Sequence, residues 1–270
     1  MIYSILLLCA GLASQASAAC TREELVAATD AYVKAQAAGD MSLTAALASN
    51  VTYLENDAVV DITKGVLSQA VTIDFNRSLH DTTQCATFTE ISAATNAVPY
   101  VIATRMLFAD GKITAIQSVV ANDGDWAFNA TGQLYWTQQE TWDEIPEDQR
   151  DARDVIQAAG DLYLDSWSDG TVQVPYGTPC ARLEGGSYTG SGRPTANTCY
   201  MPQFPEDFTI GNRRYVIDEV VGGLDIFNDF PFIDAAKPDG TASTNFLRVE
   251  GGKIRYIHET TICTNRNCGR

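Results

Sequence analysis

Two stretches of the chain carry apolar residues at helical spacing. They are LVAATDAYVKAQAAGD, residues 25–40, and IQAAGDLYLDSWSDGT, residues 156–171. In both, apolar residues recur at every third or fourth position and a glycine follows near the end, which is typical of an amphipathic helix with a glycine stop. Other segments alternate apolar and polar residues, which predicts strands. They are YVIATRMLF at 100–108, KITAIQSVVA at 112–121, RRYVIDEVV at 213–221 and KIRYIHETTI at 253–262.

The two helical stretches resemble each other, which indicates an internal repeat. Aligning Leu25 with Ile156 places Tyr32 on Tyr163. Two further pairs of segments match in the same order, and the longer pair contains Asp-Gly or Gly-Gly, the dipeptides of a tight hairpin turn. The pairs are YLEN (53–56) with RLEG (182–185), and FADGKITAIQS (108–118) with VEGGKIRYIHE (249–259).

Three matches in the same order favour one domain written twice over chance similarity between short segments. The boundary is expected in WDEIPEDQRDARD, residues 142–154, where a proline and a run of charges separate two apolar patterns. A long helix followed by strands predicts an α+β fold, in which helices wrap a curved antiparallel sheet in each domain. The predicted domains are residues 20–149 and 150–270.

The first 19 residues, MIYSILLLCAGLASQASAA, have the apolar run and the small residues of a secretory signal peptide. A retained membrane anchor is the alternative. Three N-x-S/T sequons follow, at Asn50, Asn76 and Asn129, and predict N-glycosylation. Signal and sequons together predict a protein that is secreted or resides in the secretory-pathway lumen.

The cysteines favour disulfides. Removal of the signal peptide takes Cys9 away and leaves six cysteines, an even number that suits an oxidising compartment. They lack paired C-x-x-C units and the chain has two histidines, so no metal site is expected. Six cysteines allow 15 pairings. We expect two local closures and one long-range bridge, namely Cys180 with Cys199, Cys263 with Cys268, and Cys20 with Cys85.

The formal net charge of −16 disfavours partners that are themselves negatively charged. Such a surface repels phosphate backbones and anionic lipids, so no nucleic acid and, after signal removal, no membrane is expected as a partner. The chain also lacks a G-x-S-x-G elbow, an H-E-x-x-H pair, a P-loop and a dinucleotide-binding glycine motif.

The helix with a central tyrosine and an AGD exit, followed by a DGKI hairpin, resembles the nuclear-transport-factor-2-like (SnoaL-like, ketosteroid-isomerase-like) cone fold. The whole mature chain is similar to a family of secreted fungal proteins of mostly unassigned function, and in length, signal and organisation to fungal hetero-Diels-Alderases of tropolone-sesquiterpenoid biosynthesis. The segments that carry the resemblance are NVTYLEND, RSLHDTTQC, GDWAFNATG, PCARLEGGSYTG, RRYVIDE and RVEGGKIRYIH.

The resemblance implies tandem cone domains and an enzyme of secondary metabolism that uses no cofactor. Such a dehydrating cyclase would generate a reactive intermediate, for example a quinone methide, and trap it with an apolar alkene. The expected partner is an apolar small molecule, and a homodimer stays open. The alternative is a secreted protein that binds a small molecule, or acts at the cell surface, without catalysis, since cone folds host both roles. A third alternative is that one domain serves only as a structural partner of the other domain.

Three residues are the candidates for catalysis: His258, Asp218 and Tyr188. Strand alternation places His258 on one face with Ile254 and Tyr256, where burial is expected to lower the pKa of the imidazole. Asp218 is flanked by valines on its face, which is typical of a carboxyl group with a raised pKa. The alternatives are a core histidine and a surface or salt-bridged aspartate.

Further side chains are candidates for substrate binding. Arg182 and Glu184 alternate with a leucine and could form a substrate clamp or an ordinary ion pair. The full set of expected substrate-binding residues is Tyr256, Arg182, Glu184, Arg214, Tyr53 and Trp126. If His258, Asp218 and Tyr188 reach one cavity, an enzyme is favoured, whereas a purely apolar cavity favours a carrier.

Overall fold

The computed structural model describes residues 20–44, 46–202 and 208–268, so the predicted signal peptide lies outside the described residues. This part of the chain forms three α-helices and twelve β-strands. The helices are α1 (Arg22–Ala38), α2 (Ala130–Thr137) and α3 (Arg153–Asp165). The strands are β1 (Leu47–Glu55), β2 (Ala58–Val59), β3 (Phe75–Asp81), β4 (Ala86–Ala93), β5 (Tyr100–Ala109), β6 (Lys112–Ala121), β7 (Tyr176–Glu184), β8 (Ser187–Tyr188), β9 (Arg214–Asp218), β10 (Gly223–Phe230), β11 (Thr241–Glu250) and β12 (Lys253–Thr261).

Both predicted long helices are present. α1 begins with a capping box in which the Thr21 side chain accepts from the Glu24 N–H and the Glu24 carboxylate accepts from the Thr21 N–H. It ends at Gly39, whose φ of 64° is the left-handed conformation of a glycine stop. α3 ends earlier than expected, at Asp165 rather than at Gly170. The Ser166 hydroxyl closes its last turn by donating to the backbone carbonyl of Tyr163 at 2.7 Å.

The strands form two six-stranded sheets, which confirms an α+β fold with one sheet in each half of the chain. The strand orders are β2-β1-β6-β5-β4-β3 and β8-β7-β12-β11-β10-β9. The sheets are mixed rather than purely antiparallel, because β1 runs parallel to β6 and β7 runs parallel to β12. In each sheet the first strand pairs with the last one, and only a long connection can join parallel neighbours.

The first half (residues 20–149) and the second half (residues 150–268) have the same strand order. α1 begins at Arg22 and α3 begins 131 residues later, at Arg153. β6 and β12 begin at Lys112 and Lys253 after turns whose residues have positive φ. A residue of one half therefore has an equivalent position in the other, and the two can be compared directly.

Each sheet packs its own helix on one face and the other sheet on the opposite face. One apolar core joins α1 to the first sheet and a second joins α3 to the second sheet. A third core lies between the sheets and includes Leu79, Phe88, Val216, Phe227 and Phe246. Burying such a side chain contributes roughly 1.5–3 kcal/mol, so this third core holds the two halves together.

A β-bulge reverses the expected faces of β12. Arg248 on β11 pairs with Tyr256, but the next residue, Val249, pairs with Ile254, so Arg255 has no partner in the register. The extra residue turns every later side chain to the other face. The prediction that Ile254 and His258 share a face is therefore wrong: Ile254 packs on α3, whereas His258 faces the other sheet.

Three disulfides are present, in the pairing expected from the sequence. They join Cys20 to Cys85, Cys180 to Cys199 and Cys263 to Cys268. Stable disulfides are typical of an oxidising compartment. In the portion of the chain that the structure describes, no helix has both the length and the apolar character needed to cross a membrane.

Candidate active site

His258 lies in the contact between the two sheets. Its Nδ1 is 3.0 Å from Oε2 of Glu90 on β4, and its Nε2 is 2.8 Å from Oε2 of Glu140, which follows α2. The rings of Phe246 and Trp142 pack edge-on against the imidazole. Both nitrogens are therefore engaged by carboxylates, and the side chain is 1% exposed.

The charge state of His258 is opposite to the one expected. Burial lowers the pKa of the imidazole, but the negative charges of Glu140 and Glu90 outweigh burial and raise this pKa to about 10. The prediction of a neutral imidazole is wrong, because it took account of desolvation without the two carboxylates. His258 is an imidazolium that joins the second sheet to Glu90 of the first sheet.

Asp218 also faces the other half. Its Oδ1 accepts from Nη1 of Arg22 at 2.7 Å and its Oδ2 accepts from the backbone N–H of His80 at 2.9 Å. Burial raises the pKa of Asp218, but the hydrogen bonds from His80 and Arg22 outweigh it and lower the pKa overall. The expected raised pKa is therefore wrong. His80, whose N–H makes this bond, belongs to β3.

The remaining candidates lie in several different places. Tyr188 stacks on Trp136 at 4.2 Å between ring centroids, and it interacts electrostatically with Glu140, the carboxylate bound to His258. Tyr256 stacks beside Trp142, and Trp126 packs on the core of the second half. Arg214 binds Asp57 at 2.8 Å, and the Tyr53 hydroxyl donates to Glu55 at 2.5 Å.

A different set of ionisable side chains meets in the helix-facing interior of the second half. Tyr163, Tyr176, Arg182, Glu184 and Glu259 make up this set, which we name the interior cluster. Nη1 of Arg182 lies 2.7 Å from Oε1 of Glu184. Glu184 on β7 and Glu259 on β12 are register partners, and partners in register project from the same face of a sheet. Tyr163 on α3 interacts electrostatically with all four other members.

The two carboxyl groups of the interior cluster have raised pKa values. Burial raises the pKa of Glu259 to about 8, with help from the negative charge of Glu184, against the opposing effects of Thr261 and Arg182. Burial likewise raises the pKa of Glu184, against the charge of Arg182. The pair therefore retains a proton at neutral pH. A protonated carboxyl group beside an ionised one can supply both the acid and the base of a reaction.

A cavity of about 160 Å³ borders the interior cluster. Tyr176 and Met201 form part of its wall, and Met201 also contacts Nη1 of Arg182. Tyr200 lines the same cavity and is 72% exposed, so one aromatic side chain of the wall faces solvent. The cavity thus connects solvent with the side chains that surround the two carboxyl groups.

The first half has an apolar interior at the equivalent positions. Ile91, Ile102 and Val120 belong to its core, and the second half has polar residues at these three places. The buried polar residues are Asn228, Ser243 and Thr261. Equivalence along β6 and β12 also places Ser118 where the second half has Glu259. Because burying polar groups is costly, this difference makes the interior of the second half the candidate site.

Among the described residues, no group of three or more His, Cys, Asp and Glu side chains is arranged to hold a metal ion. Residues 149–261 match the family model of a domain of unknown function (DUF8021). The matched segment contains α3 and every strand of the second sheet. No curated protein and no solved structure matches the chain.

Sequence reasoning selected Arg182 and Glu184 but missed Glu259, Tyr163 and the polar residues on β10 and β11. A signal for Glu259 was present. Aligning the two GKI segments places it against Ser118, and a carboxylate that replaces a small hydroxyl in a repeat is a functional candidate. The comparison drew attention to His258 instead, because alternation without the bulge placed the histidine inside.

Proposed function

We propose that the protein is a cofactor-independent enzyme, a dehydrating cyclase that acts on an uncharged, largely apolar small molecule in the second half. The observation that carries the proposal is the pairing of Glu259 with Glu184 on neighbouring strands, both with raised pKa values, in a buried cluster that borders a cavity. A carboxyl group that stays protonated at neutral pH is a general acid, and its ionised neighbour is a general base.

The reaction follows from these two roles. Glu259 donates its proton to a hydroxyl oxygen of the substrate, and the C–O bond breaks as water leaves with the bonding electrons. The Glu184 carboxylate accepts a proton from a neighbouring position of the substrate, whose electrons form the new double bond. The substrate loses one water. The carboxyl pair gives up one proton, which leaves in that water, and receives one proton from the substrate, so the pair holds the same number of protons before and after the step.

The remaining cluster residues support this step. Arg182, which lies 2.7 Å from Glu184, stabilises negative charge in the cluster. The product of dehydration is an electron-poor conjugated system such as a quinone methide. A hetero-Diels-Alder reaction of that product with an alkene needs no nucleophile, so a cavity that holds the two reactants close together accelerates it by proximity.

The fold and the surface are compatible with the secreted family named above. Two six-stranded sheets of identical order, each with a helix on one face, suit tandem nuclear-transport-factor-2-like domains. All three sequon asparagines, Asn50, Asn76 and Asn129, are exposed, as N-glycosylation requires. With three disulfides, these features support a glycoprotein of the secretory pathway.

The test is turnover of a tropolone-type alcohol with a humulene-type alkene, followed by chromatography of the products. Glu259→Gln keeps the shape of the side chain but removes the proton donor, so we expect the rate to fall by roughly 10²–10⁴-fold. The matched control is Glu55→Gln, since Glu55 is the first-half equivalent of Glu184, and it should leave the rate within a factor of about 3. The wild-type rate should decline above about pH 8, where Glu259 loses its proton.

Two results would overturn the proposal: a product mixture identical to that in buffer, or full activity in Glu259→Gln. A protein that binds the alcohol and returns it unchanged would instead be a carrier. Calorimetric titration with the same alcohol distinguishes this outcome, because a carrier shows binding without any new product.

A further inference from the structure

A groove of about 540 Å³ opens between α1 and the start of β3 in the first half. Its lining includes Val33, Lys34 and Ala37 from the helix and Val71, Ile73 and Asn76 from the segment that leads into the strand. Asn76 is the asparagine of a sequon, and its side chain is exposed. The groove therefore has a glycosylation sequon in its own wall, and we name it the Asn76 groove.

Strand alternation places Asn76 on the face of β3 that packs against α1. His80 lies four residues further along on the same face, and its Nε2 is 3.0 Å from Oγ1 of Thr29 on the helix. The register partner of Asn76 is Ile91, which belongs to the core beneath α1. Helix and strand thus touch at Thr29 and His80 and leave the Asn76 groove open at the other end of their contact.

The second half closes the equivalent place with a charged side chain. β3 and β9 end at equivalent aspartates, and counting back from them pairs Asn76 with Arg213. Arg213 donates from Nη1 to Asp161 and from Nη2 to Asp165 of α3, at 2.9 and 2.5 Å. The first-half equivalent of Asp165 is Lys34. An amide and a cation cannot form an ion bridge with each other, so a different group must fill this place in the first half, or it stays open to solvent.

We propose that the first sugar residues of an N-glycan on Asn76 lie in the Asn76 groove and join β3 to α1, as the Arg213 side chain joins the second sheet to α3. Attachment forms a bond from Nδ2 of Asn76 to C1 of N-acetylglucosamine, while the bond from C1 to the diphosphate of a lipid-linked oligosaccharide breaks and the amide gives up one proton. The inference rests on the glycosylation proposed above and is independent of the proposed reaction.

The lining of the Asn76 groove suits a sugar. Val71 is buried, and Val33 and Ile73 are partly buried against the core of the first half, so the floor is apolar. N-acetylglucosamine presents C–H groups and an acetyl methyl to such a surface. The exposed ammonium of Lys34 can donate to the sugar's hydroxyl and acetyl oxygens. A neutral sugar also avoids the repulsion that a net charge of −16 imposes on an anion.

The wall opposite the helix is held in place by the protein itself. Asn96 accepts from the N–H of Thr72 and donates to its carbonyl, both at 2.8 Å. Where α1 ends, a Cβ on Gly39 would lie 2.5 Å from the backbone nitrogen of Ala70, so glycine allows the two segments to approach this closely. A fixed wall and a covalent tether both reduce the entropy lost on docking, so weak contacts are enough to hold the sugar.

Release of the glycans from the native protein tests the proposal. The full chain is secreted from a eukaryotic host and treated with peptide-N-glycosidase, which cuts between asparagine and the first sugar. Mass spectrometry follows the reaction at Asn50, Asn76 and Asn129. Cleavage needs an undocked glycan, so release at Asn76 should be about tenfold slower than at the other two sites. In protein that is denatured and reduced beforehand, the three rates should be equal. Equal rates in the native protein overturn the proposal.

Two neighbouring alanines of α1 provide a matched pair of variants. Ala37 lines the Asn76 groove, whereas Ala38 is exposed and does not line it. Ala37→Phe fills the groove and keeps the sequon, so we expect release at Asn76 to become as fast as at Asn50. Ala38→Phe should keep the slow release of the wild type. Slow release at Asn76 in Ala37→Phe overturns the assignment to the groove.

A charge exchange tests the bridging role. Asn76→Gln removes the sugar and should lower the midpoint of urea unfolding of the secreted protein, whereas Asn50→Gln should leave it unchanged. Asn76→Arg with Lys34→Asp installs the second-half bridge, with Asp30 as the equivalent of Asp161. This double variant should regain the wild-type midpoint without any sugar. An Asn76→Gln midpoint equal to that of the wild type overturns the bridging role.

Site occupancy separates this inference from the glycosylation on which it rests. If none of the three sequons carries sugar, the proposed glycoprotein falls and the inference falls with it. If Asn50 and Asn129 carry sugar and Asn76 does not, the inference alone falls. The same holds if Asn76 carries sugar that is released as fast as that of Asn50.

Discussion

Arg22, at the first position of α1, donates from Nη1 to Oδ1 of Asp218 in the other half of the chain at 2.7 Å. The equivalent residues repeat this bond in the opposite direction. Arg153, at the first position of α3, binds Asp81 with both terminal nitrogens, at 2.9 and 2.7 Å. The backbone contacts are also reciprocal: Asp218 accepts from the N–H of His80, and Asp81 accepts from that of Ile217. The two halves are therefore joined by a near-symmetric pair of ion bridges.

Loss of Arg153 should destabilise the protein more than loss of Arg22. Asp81 is fully buried and receives a bidentate bond, so Arg153→Leu leaves an uncompensated charge and should cost about 3–5 kcal/mol of unfolding free energy. Arg22→Leu should cost less, because Arg22 makes a single bond to Asp218 whereas Arg153 makes two bonds to Asp81. Urea unfolding measured by fluorescence gives both values.

Arg193→Leu is the matched control, since Arg193 is exposed and its terminal nitrogen contacts a backbone carbonyl. It should change the unfolding free energy by less than about 0.5 kcal/mol. Equal effects of Arg153→Leu and Arg193→Leu would show that the bridge to Asp81 does not hold the halves together.

The imidazolium of His258 should make the protein less stable in alkali. Its pKa is raised from 6.5 to about 10 in the folded protein. The stabilisation is therefore complete below about pH 6.5 and is lost as the pH rises toward 10, because only the folded state holds the proton in that window. His258→Gln, which installs the residue of the equivalent Gln117, should cost about 3–5 kcal/mol at pH 6, since it leaves Arg77 as the one remaining counter-charge among the described partners of the buried Glu90 and Glu140.

The difference between wild type and His258→Gln should shrink by pH 10, as measured by guanidinium unfolding at pH 6, 8 and 10. A difference that stays constant with pH would mean that the imidazole is neutral when folded. Adding Glu140→Gln to His258→Gln should recover part of the stability, because it removes one of the two buried negative charges that His258 no longer neutralises. Lack of any recovery would argue that Glu140 is ionised and solvated independently of His258.

The repeat is what made the fold predictable. Matching Leu25 with Ile156 and the two GKI segments with each other placed α1, α3, β6 and β12 correctly, because helical periodicity and hairpin turns are local signals. The disulfide pairing also followed from chain separation. The parallel pairing of β1 with β6 was missed, since nothing local shows that a first strand returns to the last one.

The chemistry was less predictable than the fold. The bulge at Arg255 exchanges the faces of β12, and a single unpaired residue leaves no mark in the alternation of KIRYIHETT. Face-to-face packing of the sheets then surrounds His258 and Asp218 with charges from the distant first half. Strand alternation describes one sheet by itself, so it could not reveal Glu90, Glu140 or Arg22 as their partners.

Glu259 should lower the unfolding free energy of the protein as the pH rises from about 4.5 to 8. Its pKa is raised from 4.5 to about 8 on folding, so in this window the unfolded chain has lost a proton that the folded state retains. Stability then falls with increasing pH. Glu259→Gln does not titrate, so its unfolding free energy should fall less than that of the wild type between pH 5 and 8, by on the order of 3 kcal/mol.

Chemical denaturation at four pH values across this range measures the effect. Glu144→Gln is the control, because Glu144 is exposed, and its curve should run parallel to that of the wild type. Parallel curves for Glu259→Gln as well would show that Glu259 is ionised in the folded protein at neutral pH, which would also remove the general acid from the proposed reaction.

The three disulfides should stabilise the protein in the order of the chain segments that they close. The bridges span 65, 19 and 5 residues, and the loss of unfolded-chain entropy predicts about 4, 3 and 2 kcal/mol. Paired serine variants, compared by thermal unfolding, should follow this order. The Cys180–Cys199 pair should differ in one respect. Cys199 lies two residues before Met201, which contacts Arg182, so removal of this disulfide should also slow turnover of the tropolone-type alcohol. The Cys263–Cys268 variant serves as the control for that second effect, and equal loss of turnover in both variants would show that the cavity wall does not depend on the Cys180–Cys199 bridge.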